Sequence, residues 1–152
     1  MARIGIVVDP IEYANFAEYF TTGLGSPENM SSQEIGLATT GWGPDFSSAY
    51  SFWAPLVDGR KIKPSSNQNF AELNFDELNL LLDSLETSES PSESASISRA
   101  IELLVMSEAV YLPYAVDRIV LYRSKDLTDI YVQIALGNQY DLVNIGKREN
   151  IQ

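Results

Sequence analysis

The sequence contains no cysteine and no histidine. Those absences exclude disulfides, thiol nucleophiles, Cys/His zinc sites and every histidine-based catalytic triad. Lack of cysteine also suits an exported protein that avoids chance oxidation. Cations are scarce: 10 Lys and Arg stand against 21 Asp and Glu, for a net charge of -11. Phosphate backbones are bound by clustered Lys and Arg, so this balance argues against nucleic acid as a partner. It disfavours anionic membrane surfaces for the same reason. No apolar run approaches the roughly 20 residues of a spanning helix, so direct membrane insertion is not expected. The N-terminus lacks the charged-then-apolar pattern of a signal peptide. Nucleophile-elbow, dinucleotide-binding and P-loop patterns are all missing, as are the alternating acids of a calcium loop.

What is present is ordinary in amount and unusual in distribution. Hydrophobic residues make up 45% of 152 residues, enough for one domain with its own core. Both tryptophans fall in the run Gly41 to Gly59, with Pro44, Pro55 and an acid, Asp45, between proline and Phe46. Glycine and proline predict a loop or a series of turns here. Rings of this size carry large apolar areas, so they either plug a core or line a pocket.

Along the chain, Ile4 to Val8 reads as a buried strand. Asp9-Pro10-Ile11-Glu12 supplies a cap for a helix over 10–22, with Tyr13, Phe16, Phe20 and Leu24 on one face. Ile35 to Thr40 reads as a second strand leading into the tryptophan loop, giving a βαβ unit with parallel strands. In such sheets ligands gather beyond the carboxyl ends of the strands, where Trp42 and Asp45 lie. Residues 60–73 are turn-like. A helix capped by Asn74 carries Leu78, Leu81, Leu82 and Leu85 on one face. A Ser/Glu-rich loop over 87–96 leads to a third helix, roughly 94–108, and the two helices are expected to pack antiparallel. Val110 to Tyr114, Ile119 to Tyr122, Asp129 to Ile134 and Tyr140 to Ile145 read as strands, with a turn at Gly137-Asn138. The tail from Lys147 is polar.

Asp45 has two readings. One is a turn or helix cap beside Pro44. The other is a carboxylate that meets a ligand ammonium, with Trp42 and Tyr50 as apolar or cation–π faces and Gly43 beside them. Phe52 and Trp53 read as core. Paired carboxylates for hydrolysis would be Asp45 with Asp58 or Asp9, but no spacing favours either pair.

The segments Ile35-Gly-Leu-Ala-Thr-Thr-Gly-Trp-Gly-Pro-Asp45, Ser51-Phe52 and Leu56-Val57-Asp58-Gly59 resemble family 5 extracytoplasmic solute-binding proteins. These are the dipeptide- and oligopeptide-type receptors of bacterial ABC importers. Asn67-Gln-Asn69-Phe70 and Asn74-Phe-Asp-Glu-Leu-Asn79 resemble the family's next segment, with Phe70 for the usual Tyr and Phe75 where Pro is common. Glu108 to Tyr114, Tyr122-Arg123-Ser124, Thr128 to Val132 and Tyr140 to Asn144 are similar to its closing strands. Each motif is short, but their order is collinear over nearly the whole chain.

The resemblance implies an α/β fold, the C-terminal part of a two-lobe periplasmic-binding-protein-like (type II) architecture with a mixed sheet and flanking helices. Residues 1–112 would belong to the second lobe and residues 113–152 would return to the first. It further implies a fragment of a lipid-anchored or periplasmic receptor that binds a peptide or similar small solute and meets ABC permease subunits. No catalysis and no cofactor or metal are expected. Asp45 would take the ligand amine, with Trp42, Gly43 and Tyr50 at the cleft. The alternative is an independent interaction domain with an aromatic binding loop. A sheet edge left open at strand 4–8 would favour the fragment.

Overall fold

A computed structural model describes residues 5–116, 118, 120–133 and 139–148. Its order is built on three helices in the middle of the chain. Helix α1 is a single turn, Phe16–Glu18, capped by the Asn15 side chain and continued as a π-helical turn over Tyr19–Gly23. Helix α2, Pro27–Ser32, starts on the Ser26 hydroxyl with proline in its first turn, where a missing N–H costs nothing. Helix α3 is Ala49–Val57, α4 is Asp76–Glu86 and α5 is Pro91–Ser107.

Helices α3, α4 and α5 pack against one another and bury a single apolar cluster. Leu78, Leu82 and Leu85 recur every three or four residues on α4, and Ile101 and Val105 do the same on α5. Both stripes meet Ala54, Leu56 and Val57 of α3. Cross-links fix the arrangement: the Trp53 indole N–H donates to Ser98 Oγ at 2.7 Å, and the Tyr111 hydroxyl donates to the Leu56 carbonyl at 3.1 Å. The connection from α3 to α4 is tied by buried polar groups. Asn69 takes the Leu73 N–H at 3.0 Å and donates to the Leu73 carbonyl at 2.8 Å. Glycine is required at position 59, because a Cβ there would run into the side chain and Cα of Asn74.

The N-terminal helical turns dock on the same connection. Ser66 N–H donates to the Thr21 carbonyl, Asn67 N–H donates to the Gly25 carbonyl, and the Phe20 and Phe70 rings lie 5.9 Å apart. At the other end, β1 (Leu127–Thr128) pairs antiparallel with β4 (Gly146–Lys147), and β2 (Val132–Gln133) with β3 (Gln139–Tyr140).

Several sequence expectations change. Residues 5–8 form no strand; Val7 is 93% exposed, and no backbone hydrogen bond among the described residues engages 5–12. The helix expected over 10–22 begins at Phe16. Segment 35–40 is extended but unpaired, so the βαβ unit is absent among the described residues, and both sheets there are antiparallel rather than mixed. The physical reason is common to these cases: a strand needs a neighbouring edge for its N–H and C=O groups, and none is offered to these segments among the described residues. Half of the tryptophan loop is helical, since Ser48 caps α3 and Pro55 sits within it. Phe75, not Asn74, occupies the N-cap position of α4, with no side-chain capping hydrogen bond, and α5 starts at Pro91 on the Ser90 hydroxyl. Val110 to Tyr114 and the described part of Ile119 to Tyr122 form no strand, and the last two expected strands shrink to the pairs Val132–Gln133 and Gln139–Tyr140, because an irregular course leaves these residues with no ladder partner. Position 119, the end of 129–134, the Gly137-Asn138 turn and the tail beyond 148 lie outside the described residues.

The chain exposes 11523 Å², where a compact monomer of its mass exposes about 7,700 Å². Three stretches of arm without regular structure, 5–12, 35–44 and the described part of 112–124, carry exposed apolar residues. They present Val7, Leu37, Leu112, Tyr114, Val116 and Tyr122 to solvent.

Candidate functional site

The segment Trp42 to Tyr50 crosses from an extended arm into the packed centre. Ser48 is extended and its hydroxyl accepts from Tyr50 N–H at 3.2 Å, which starts α3. Just before it the chain bends over Asp45–Ser47, closed by Ser48 N–H donating to the Phe46 carbonyl at 2.7 Å. Ser51, buried on the first turn of α3, has its hydroxyl 2.8 Å from the Phe46 carbonyl and 3.0 Å from that of Ser48. On the other side the Trp42 indole N–H donates to the Phe52 carbonyl at 3.2 Å, and its half-buried ring packs against the core cluster.

Asp45 is exposed between these two attachments. Among the described residues it forms no ion pair and no side-chain hydrogen bond, so its carboxylate is free to meet a cation. It is neither a turn-closing acceptor nor a helix cap; Ser48 takes the latter role. Gly43 is exposed too, and a Cβ there would meet nothing within 4 Å, so no contact within the chain demands glycine. Tyr50 is half-buried and turned toward Lys61, whose ammonium lies 3.1 Å from its hydroxyl and 5.0 Å from its ring centre. Trp42 and Tyr50 thus rest on the core, whereas Gly43 and Asp45 project from the bend between them. Phe52, Trp53 and Leu56 pack beneath, as expected.

Asp58 does not join Asp45 as a catalytic pair. It is 1% exposed, and its Oδ1 receives the Arg60 N–H and Nε at 3.0 and 2.9 Å while Oδ2 receives Nη2 at 3.1 Å. Arg60 reaches on to Asp83 of α4 at 2.8 Å. Burial pushes the Asp58 carboxyl up. The hydrogen bonds from Arg60 and the charges of Arg60 and Lys61 outweigh that and hold it below the ordinary carboxylate range. This is an anchor for the Gly59–Lys61 turn, and reading the sequence alone missed it. A signal was available in Asp58-Gly59-Arg60, since an acid before a turn commonly accepts from the N–H two residues on. Ser51 was likewise missed as a support for the bend, although Ser48-x-x-Ser51 has the spacing of a helix start.

Two hollows flank this region. One of about 790 Å³ opens between the start of α3 and the start of α5, lined by Ser47, Ser48, Ser90, Ser98 and Arg99 among others. The other, about 330 Å³, lies beside Arg60, Lys61 and Lys63. Among the described residues no group of three acidic, cysteine or histidine side chains could hold a metal ion. No described helix is long and apolar enough to cross a membrane.

No family model matches the sequence, and no curated protein matches it. A solved structure does: the clavulanic acid biosynthesis oligopeptide binding protein 2 is 40% identical and superposes with a TM-score of 0.89. The superposition covers 97% of this chain and 27% of that one. The chain therefore spans about a quarter of the neighbour's length, and its α/β arrangement matches a fragment of an oligopeptide-binding fold.

Proposed function

We propose that this chain forms part of the ligand-binding cleft of an extracytoplasmic peptide receptor of the family 5 type, serving a bacterial ABC importer. The observation that carries the reading is the superposition of nearly the whole chain on one quarter of an oligopeptide-binding protein at 40% identity. The extended arms support it independently. Among the described residues they join no strand ladder, as segments do when the edge that pairs them lies elsewhere. In this reading residues 1–112 belong to the second lobe and residues 113–152 return to the first.

The geometry of Asp45 supports the role that the resemblance assigns it. It is an unpaired carboxylate on a bend held at both ends, and it meets the terminal ammonium of a peptide as the lobes close. Desolvation by the first lobe as it closes strengthens that charged hydrogen bond to about twice a neutral one. Trp42 and Tyr50 flank it, and Gly43 leaves room for close approach of ligand backbone. The function is binding, without catalysis, and delivery is to the permease subunits. A lone half-cleft leaves most of a peptide in water, whereas such sites usually bury over 70% of a ligand. The isolated chain accordingly binds weakly. An aromatic protein-docking loop is less well supported, because Trp42, Phe52 and Trp53 are all packed on the core.

The test is a receptor in which this chain replaces the matching quarter of the oligopeptide-binding neighbour. Calorimetry with a free-amine tripeptide and its N-acetylated twin should show tighter binding of the free amine. Asp45→Asn should lower affinity for the free amine at least tenfold and leave the melting temperature unchanged. Equal affinity for both peptides in the unsubstituted receptor refutes amine recognition by Asp45.

A further inference from the structure

We infer that Ser51 and Trp42 are positioning residues that together fix the direction of the Asp45 carboxylate, an inference that rests on the ligand-amine reading of Asp45. The two attachments flank the acid in sequence and converge on consecutive residues of one helix. Trp42, three residues before Asp45, donates its indole N–H to the Phe52 carbonyl at 3.2 Å. Phe46, one residue after it, presents its carbonyl to both the Ser51 hydroxyl, at 2.8 Å, and the Ser48 N–H, at 2.7 Å. The bend between them has no other anchor among the described residues. Pro44 and Phe46 flank Asp45 directly, yet Asp45 itself makes no contact that would orient it.

Burial makes these two bonds effective. Ser51 is 5% exposed, so water does not readily replace its proton at the Phe46 carbonyl. The Trp42 ring packs on the cluster that includes Ala54 and Val57, which keeps its N–H aimed at α3. An exposed carboxylate on an untethered loop would lose conformational entropy when it captured an ammonium. Held between two staples, it has lost that freedom before the ligand arrives. The indole edge that carries the N–H is committed to the helix, and the exposed part of the ring remains for the cleft. Trp42 thus acts at the site through two different surfaces.

The experiment uses the complete 152-residue chain and NMR relaxation of the amides of residues 43–48, compared in the unsubstituted chain, Ser51→Ala, Ser51→Thr, Trp42→Phe and Asp45→Asn. The expected order parameters are near 0.85 in the unsubstituted chain and in Asp45→Asn, and below about 0.6 in Ser51→Ala and Trp42→Phe. Ser51→Thr, which keeps the hydroxyl, should restore the rigid value. Helix α4 amides serve as the control and should not change. Trialanine and N-acetyl-trialanine are then titrated at millimolar concentration. Shift changes at residue 45 with the free-amine peptide should be present in the unsubstituted chain and at least halved in Ser51→Ala. Unchanged order in Ser51→Ala and Trp42→Phe overturns the staples and leaves the amine reading intact. Loosened order with no shift change at residue 45 under either peptide overturns the positioning role, and the amine reading is then decided by the receptor calorimetry.

Discussion

The centre of the molecule and its arms are built from the same kinds of apolar residue and meet opposite fates. Leu78, Leu82 and Ile101 are fully buried, while Val7 and Val116 are more than nine-tenths exposed. Hydrophobicity does not separate them; hydrogen bonding does. A helix satisfies its own backbone, so α3, α4 and α5 need only bring apolar stripes together. A strand must find an edge before it can bury anything. The centre is therefore self-sufficient, whereas the arms find no strand edge among the described residues. The proposed binding segment, Trp42 to Tyr50, is where one regime gives way to the other.

Breaking the centre should have the largest effect. Leu82→Ala is expected to cost about 2–5 kcal/mol by chemical denaturation, through lost transfer energy and the cavity left behind. Val116→Ala in the same chain should stay within about 0.5 kcal/mol, as for other surface changes. A comparable cost for both would mean that the arm packs somewhere in solution, and the contrast would fail.

Acid sharpens the comparison next. Asp58 has its carboxyl lowered in the folded state, so its contribution to stability is present above the ordinary carboxylate range and is lost as pH falls through the folded value. Asp58→Asn should cost roughly 1–3 kcal/mol at neutral pH. That is less than for a fully buried pair, because the Arg60 side chain is 46% exposed. The substituted chain should also lose stability less steeply below pH 4. Denaturation curves at pH 7 and pH 3 check both statements.

At the alkaline end, burial pushes the Tyr111 phenol up to about 12, against a smaller opposing hydrogen bond from the Ala71 backbone. Its folded value is raised, so its contribution is full below the ordinary value near 10 and is lost as pH rises to about 12. The loss should amount to roughly 2 kcal/mol across that window. Tyr111→Phe should flatten the alkaline limb, at a cost of about 1 kcal/mol at pH 7 for the missing hydrogen bond.

The same division decides what could be read in the sequence. Helices α4 and α5 were legible because their leucine and isoleucine spacing is set by local geometry and needs no distant information. Ile4 to Val8 and Ile35 to Thr40 carry equally clear strand composition, but whether a strand forms depends on an edge, and composition does not supply one. The collinear motifs pointed to peptide-binding proteins, and an oligopeptide-binding protein 40% identical matches 97% of the chain, whereas the strand readings went astray. Asp45 stood out for its odd company, glycine and proline on one side and aromatics on the other. Ser51 and Asp58 did not, since their roles appear only when a carbonyl or a guanidinium is brought to them by folding.

Tyr111 carries one more consequence, a mechanical one. Its hydroxyl grips the Leu56 carbonyl across 55 positions of chain, at the point where the C-terminal arm leaves the centre. Leu56 lies near one end of α3, and Ser51 and Phe52, which hold the Asp45 bend, lie toward the other. A nine-residue helix is a rod about 13 Å long. Any pull on the arm enters that rod at its far end, so the bend bearing Asp45 and the strands beyond Tyr111 are geared to a single lever.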